Sequence, residues 1–158
     1  MLTLRATATA DLPHLAGWEA GPDTAMWLGE TGHAWHERAL AEPDQQHLIA
    51  EDTGTLAGFA VLAGIRTGDG AIELRRMVIS PAFRGTGRGR ELLRAVLARA
   101  RCQHHAARVW LDVKARNRRA RRLYETEGFT LTRTIPGAVT EPDGTTTDLL
   151  VMTHEVTR

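Results

Sequence analysis

The chain has a single cysteine, Cys102, which excludes an internal disulfide framework and any zinc site built on several thiolates, and which suits a reducing compartment. Such a lone thiol reads as a helix-surface or half-buried side chain. No run approaches the roughly 18 consecutive apolar residues of a membrane span. Arg5 is followed by Asp11 where a signal peptide needs an apolar core, so the expectation is a cytoplasmic chain with no membrane partner. Internal repeats and linker-like stretches are lacking too. His33, His36, His104 and His105 come without the third and fourth partners of a ligand cluster, so they are expected at the surface and no metal is expected. Tyr124 is the only tyrosine.

What remains has the composition of an ordinary globular chain. At 158 residues, 42% hydrophobic and 25% charged, it falls outside the disordered and low-complexity classes, and one domain over residues 1–158 is expected. A chain of this length buries roughly 70% of its unfolded surface, so it needs no staples. The formal net charge of +1 conceals a segregation. Between Arg84 and Arg122 thirteen basic residues stand against two acids, Glu91 and Asp112, a net +11, and the remainder carries −10. Blocks of one sign are normally solvated faces, but a split this sharp points to an anionic ligand on one half and a cationic one on the other.

Thr3-Leu4-Arg5 alternates as a short strand, and Thr9 can cap a helix carrying Leu12, Leu15, Ala16 and Trp18. A loop is expected at Gly21-Pro22-Asp23, then a weaker helix with Trp27, Leu28, Trp35, Ala39 and Leu40 on one side, interrupted by Gly29 and Gly32 and stopped at Pro43-Asp44. His47–Glu51 and Leu56–Ile65 read as a hairpin turning near Asp52-Thr53-Gly54, and Gly68-Asp69-Gly70 leads into a strand at Ile72–Ile79. From Gly87 to Arg101 the residues Leu92, Leu93, Val96, Leu97 and Ala100 keep helical spacing with arginines opposite, an amphipathic helix. Arg108–Val113 is a strand, Asn117 caps a helix through Tyr124 that ends at Gly128, and Phe129–Ile135 and Thr147–Val156 are strands joined through Pro136, Gly137, Pro142 and Asp143-Gly144. Meanders at the start and a β-α-β crossover in the middle make the class α/β with a mixed sheet.

The chemistry concentrates in one turn. The strand ending Val78-Ile79-Ser80-Pro81 runs into Arg84-Gly85-Thr86-Gly87-Arg88-Gly89, where a helix begins. Unpaired amides at a helix N-terminus, glycines that allow close approach, and the helix dipole together suit a pyrophosphate, and Arg84, Arg88 and Arg90 can add charge-assisted donors. The dinucleotide fingerprint fails because Leu92 stands where its third glycine belongs and too little chain follows Asp112 for further β-α units. A P-loop fails because no Gly-Lys-Ser/Thr follows the turn.

R-x-x-G-x-G after Val78-Ile79-Ser80-Pro81 resembles the acyl-CoA-binding motif of the GNAT N-acetyltransferase superfamily, and Trp110-Leu111-Asp112-Val113, Asn117, Ala120, Leu123-Tyr124-Glu125 and Gly128-Phe129 are similar to that family's next strand, helix and strand. The resemblance implies a mostly antiparallel, splayed central sheet of about six or seven strands flanked by about four helices. It implies an acceptor-side half at about residues 1–71, acyl-CoA motifs at about 72–130 and C-terminal strands at about 129–156. Met77, Val78 and Ile79 would pair with the pantetheine arm, and amides from Gly85 through Thr86, Gly87, Arg88 and Gly89 to Arg90 would hold the diphosphate of acetyl-CoA, the expected co-substrate. Asn117 matches a CoA-contacting position, besides its reading as a helix cap. Tyr124 matches the general acid that protonates the departing thiolate, although a lone tyrosine beside Leu123 is by default a packed core residue.

The implied reaction is direct attack of a primary amine, from a small molecule or a protein N-terminus, on the thioester in a ternary complex. Asp112 and Glu73 are the candidate bases, each also readable as a merely structural carboxylate, and backbone near Met77 or Val78 would hold the oxyanion. Residues 1–73 carry eleven acids against three arginines, so an amine acceptor is favoured there, and Trp18, Trp27 or Trp35 could offer it a cation–π face rather than only core packing. An acyl carrier protein as donor and a catalytically silent acyl-CoA-binding domain are the alternatives. The family also admits a homodimer. Lys114–Arg122 is basic enough to attract nucleic acid but lacks interleaved aromatics, so nucleic acid is not the expected partner.

Overall fold

A computed structural model describes residues 1–156. Seven strands, β1 (Leu2–Ala6), β2 (Gln45–Asp52), β3 (Thr55–Ala63), β4 (Ala71–Ile79), β5 (Arg108–Lys114), β6 (Thr130–Thr140) and β7 (Thr146–Glu155), form one sheet in the order β1-β2-β3-β4-β5-β7-β6. Every neighbouring pair is antiparallel except β4 with β5. The parallel pair is forced by the crossover helix α4 (Arg88–His104), since strands joined through a helix return in the same direction. The remaining helices are α1 (Leu12–Ala20), α2 (Pro22–Ala25), α3 (His33–Ala41) and α5 (Arg118–Thr126).

Two cores lie on opposite faces of the sheet. Leu92, Leu93, Val96, Leu97 and Ala100 of α4 pack on Leu48, Ala60, Leu62, Leu74, Val109 and Leu111. On the other face Leu12 and Leu15 of α1, with Trp18 and Trp35, cover Ile49, Phe59, Val61 and Val78. Removing each such Leu or Val side chain from water contributes roughly 1.5–3 kcal/mol. β4 changes phase between these cores. Val61 lies opposite Arg76 but Leu62 lies opposite Leu74, so Arg75 is an extra residue on β4. Before this bulge Ile72 and Leu74 face α4; after it Met77 and Ile79 do, and Val78 turns to the α1 side.

Several expectations are corrected. Thr9 does not cap α1; it begins a 3-10 turn, Thr9–Asp11, whose Asp11 carboxylate accepts from the Ala8 amide at 2.7 Å. Pro22–Ala25 is a short helix rather than a loop, because Pro22 supplies a preset φ at its first position. The helix expected from Trp27 starts only at His33, since Gly32 at φ 106° is left-handed. β6 runs on to Thr140 through a register shift between Ile135 and Val139 instead of ending before Pro136. His36 is fully buried rather than at the surface. Cys102 is exposed.

Candidate functional site

The parallel pairing of β4 with β5 comprises only Ala71 with Arg108, Ile72 with Val109 and Glu73 with Trp110. Beyond it β4 stays with β3 as far as Ile79, and β5 stays with β7 as far as Lys114 opposite Leu149. The sheet therefore opens into a V from Glu73 and Trp110 outward, and the bulge at Arg75 bends β4 away at that point. Met77, Val78 and Ile79 lie on the β4 arm, where alternate residues present amide and carbonyl groups to the gap without a strand partner. Gly58 of β3 backs this arm so closely that a Cβ there would lie 2.6 Å from the Val78 carbonyl oxygen.

The turn that follows places α4 at the mouth of the V. Gly85 and Gly87 have φ of 73° and 82°, left-handed values that favour glycine, and Thr86 donates its hydroxyl proton to the Phe83 carbonyl. The first bond of α4 runs from the Glu91 amide to the Gly87 carbonyl at 3.2 Å. The Arg88, Gly89 and Arg90 amides ahead of it have no partner among the described residues. A Cβ on Gly89 would sit 3.8 Å from Ile79 and 3.9 Å from Leu123, so this helix end lies between β4 and α5. Two of the three arginines expected to serve an anion are turned elsewhere. Arg88 grips Asp52, Nε to Oδ2 at 2.9 Å, and Arg90 donates to Thr126 at 2.9 Å and to Glu127. Arg84 reaches the Thr24 hydroxyl. What this turn offers an anion is thus mainly backbone amides, with Arg84 the one of the three guanidiniums not committed to a carboxylate.

Tyr124 lies half-buried on α5 against the first core, its ring 5.6 Å from that of Phe129, and its hydroxyl has no hydrogen bond among the described residues. Burial, with the charge of Asp112 added, pushes that hydroxyl up to about 12, so it stays protonated at neutral pH. Asp112, exposed on β5, is crowded enough that desolvation raises its carboxyl, while Arg75 pulls it back. Glu73, at the vertex, is bound by Arg75 through Nη2 at 2.7 Å and Nε at 3.1 Å. Asp112 is therefore the carboxylate of this group without a hydrogen-bonding partner among the described residues, and Glu73 is held by Arg75. Asn117 accepts the Ala120 amide at 3.2 Å, which is the helix-cap role.

One cluster went unnoticed in the sequence. Beside β4, Arg76 donates through Nη1 to Glu19 at 2.8 Å and stacks 3.8 Å over the Trp35 ring. Glu19 meets His36 at 2.9 Å, His36 meets His47 at 2.8 Å, and His47 meets the Thr7 hydroxyl at 2.8 Å. With Glu19 ionised, the consistent neutral arrangement has His36 Nε2–H donating to Glu19, His47 Nε2–H to His36 and Thr7 to His47. Burial opposes the charge on Glu19, but hydrogen bonds from His36 and the Gly32 amide outweigh it and hold the carboxyl below its usual range. Burial depresses His47 to about 4. The signals were present: Glu19 continues the buried stripe of Leu12 and Leu15, and His47 alternates with Ile49. Of the three tryptophans expected to offer a cation–π face, Trp35 is thus filled by the protein's own Arg76. Several acids of the first half are likewise paired, Asp11 and Glu51 with Arg5, Asp52 with Arg88 and Glu73 with Arg75, and of these pairs only Asp52 with Arg88 draws on the basic stretch.

Residues 12–129 match the Acetyltransferase (GNAT) family. An uncharacterized N-acetyltransferase of Mycobacterium tuberculosis is 38% identical over 95 residues, 60% of this chain, and the chain spans 59% of that relative's length. The N-alpha-acetyltransferase RimI of the same species is 33% identical over 131 residues, 81% of this chain and 78% of that one. Among solved structures, spermidine N-acetyltransferase from Vibrio cholerae in complex with CoA and spermine superposes with a TM-score of 0.86 over 98% of this chain and 95% of that one, at 20% identity. The ribosomal-protein-S18-alanine N-acetyltransferase from Escherichia coli gives 0.81 over 100% and 96%, at 21%. With the splayed sheet, the glycine turn and a family match covering most of its length, the chain belongs to the GNAT acetyltransferase family.

Proposed function

We propose that the protein transfers an acetyl group from acetyl-CoA to a primary amine by direct attack in a ternary complex. The observation that carries this reading is the V itself. An unpaired β4 edge at Met77–Ile79 runs up to three unpaired helical amides, with Tyr124 and Asp112, neither hydrogen-bonded within the protein among the described residues, beside the same opening. The β4 edge would hold the amide groups of the pantetheine arm, and the Arg88, Gly89 and Arg90 amides the diphosphate.

Asp112, directly or through water, takes a proton from the acceptor ammonium and leaves the neutral amine that attacks the thioester. Its negative charge is one cause of the raised Tyr124 hydroxyl, so protonating Asp112 makes Tyr124 a better acid as the thiolate departs. Tyr124 then donates toward the sulfur. Glu73, held by Arg75, serves as a spacer that keeps Arg75 near Asp112 rather than as the base. A relative named N-alpha-acetyltransferase and structural neighbours named for spermidine support an amine acceptor. A cytoplasmic location belongs to the same proposal and is supported by the lone exposed thiol of Cys102. An acyl carrier protein as donor is the second reading, supported by Arg118, Arg119 and Arg122, exposed on α5 without a carboxylate partner among the described residues.

Tyr124→Phe tests the assignment. Turnover of an amine panel, read by thiol release, is expected to fall on the order of a hundredfold while acetyl-CoA still raises the unfolding midpoint as in the wild type. Weakened acetyl-CoA binding with normal turnover removes Tyr124 from the acid role, and no midpoint shift with acetyl-CoA in the wild type refutes the donor.

A further inference from the structure

The stretch from α2 to the start of α3 is tethered at four points. The Thr24 hydroxyl accepts from Arg84, the Met26 carbonyl from Lys114 Nζ at 2.9 Å and the Glu30 carbonyl from Arg76 Nη2 at 2.7 Å, while the Gly32 amide donates to Glu19 at 3.2 Å. Arg76 and Lys114 stand on opposite arms of the V, both past the last paired residues, Glu73 and Trp110. The stretch Met26–Glu30 therefore bridges the mouth from one arm to the other. Four residue steps of extended chain reach at most about 14 Å, which bounds the separation of its two anchored carbonyls.

Besides these anchors, the Trp27 amide donates to the Thr24 carbonyl at 3.0 Å, the Leu28 amide to the Ala25 carbonyl at 3.1 Å, and Arg38 pairs with the Glu30 side chain. The bridge contains no helix or strand, and within it only Leu28 joins a core. The two cations that pin it are buried, with side chains 7% and 9% exposed. Each is compensated by an acid, Arg76 by Glu19 at 2.8 Å and Lys114, the only lysine of the chain, by Glu141 at 2.9 Å and 3.1 Å. A buried cation is costly to keep, and here both end on carbonyls of the same five-residue stretch. The relay behind Glu19, from His36 to His47 and Thr7, fixes the carboxylate that orients Arg76.

We propose that Arg76 and Lys114 are positioning residues for the acceptor: they hold Met26–Glu30 as a rim across the V and thereby set which amines reach the acyl group. The inference rests on the acetyltransferase reading for its substrate, but the tether itself does not. Neither residue touches reacting atoms; each acts through the rim.

The test uses Lys114→Met and Arg76→Lys in the whole chain. Lys114→Met removes one anchor and leaves Glu141 paired with Arg116 at 2.8 Å. Arg76→Lys keeps a cation on Glu19 but cannot also reach the Glu30 carbonyl. Hydrogen exchange at residues 26–32 is expected to speed up, and the acceptor KM to rise on the order of tenfold, more than kcat falls, with acetyl-CoA affinity held. A merely structural role lowers kcat with the folded fraction and leaves KM and local exchange unchanged, and that result overturns the proposal. Should Arg76→Lys fail to fold, Lys114→Met decides alone. If the wild type acetylates no amine, the functional reading fails separately, while unchanged exchange at 26–32 in the variants still refutes the tether.

Discussion

Gly58→Ala probes how closely the donor-side arm of the V is packed. An added Cβ lies 2.6 Å from the Val78 carbonyl oxygen, 3.2 Å from Ile79 Cδ1 and 3.3 Å from Ile79 Cα. Real Cβ contacts do not fall below 3.0 Å, so β3 and β4 must part by at least 0.4 Å. The obstructing atom is backbone within a paired strand and cannot swing aside as a side-chain end would. Overpacking of this kind costs about 1–3 kcal/mol, which lowers the unfolding midpoint of a domain this size by about 2–12 °C. The displacement falls on Val78 and Ile79, so acetyl-CoA affinity should drop along with stability. Gly17→Ala is the control: nothing lies within 4 Å of its Cβ, and replacing a mid-helix glycine should stabilise α1 by about 0.5–1 kcal/mol. The assay is thermal unfolding of both variants with and without acetyl-CoA. A Gly58→Ala protein with the wild-type midpoint and the wild-type ligand shift would refute the close-packed arm.

Two further outcomes follow from charge. His47 is held neutral to about pH 4 in the fold against 6.5 in an unfolded chain, so below 6.5 the unfolded state binds the proton first. Stability is complete above that range and is lost as pH falls through it, by about 3 kcal/mol for this group, and His47→Gln should flatten the slope in urea titrations. A wild-type profile flat over that range would contradict a neutral buried His47. Asp112 has its folded carboxyl raised by desolvation, so it weakens the fold where it is ionised. Asp112→Asn should therefore raise the midpoint at neutral pH, the gain shrinking as pH drops into the carboxylate range, while amine turnover falls. Lower stability of that variant at neutral pH would mean Asp112 is a structural partner.

What could be read beforehand was local. The spacing of Leu92, Leu93, Val96, Leu97 and Ala100 places α4 because helical periodicity needs no distant partner, and Gly85 and Gly87 mark the turn because left-handed backbone favours glycine. Asn117 as a cap was legible for the same reason. The reading weakened wherever a partner far along the chain decides the outcome. Arg88 and Arg90 sit beside an anion cradle in sequence, yet Asp52 and Glu127 claim them. His36 shares its helix face with Ala39, both of them buried, but its hydrogen-bonding partners come from α1 and β2.

The sequence by itself determined the family, the order of the seven strands with helices α4 and α5 and the residues of the glycine turn, because these depend on periodicity, turn chemistry and motif spacing within short windows, but not the short helix α2 or the start of α3. The resemblance implied a splayed sheet, but tertiary structure decided where it opens, since the bulge at Arg75 exists only as a mismatch between β3 and β4. It likewise decided which charges stay free: Asp112 has no hydrogen bond among the described residues, whereas Glu73 is paired because Arg75 folds back onto it. Pairing of charges is a matter of distance in space, and the bridge of Met26–Glu30 between Arg76 and Lys114 joins residues separated by 46 and 88 positions.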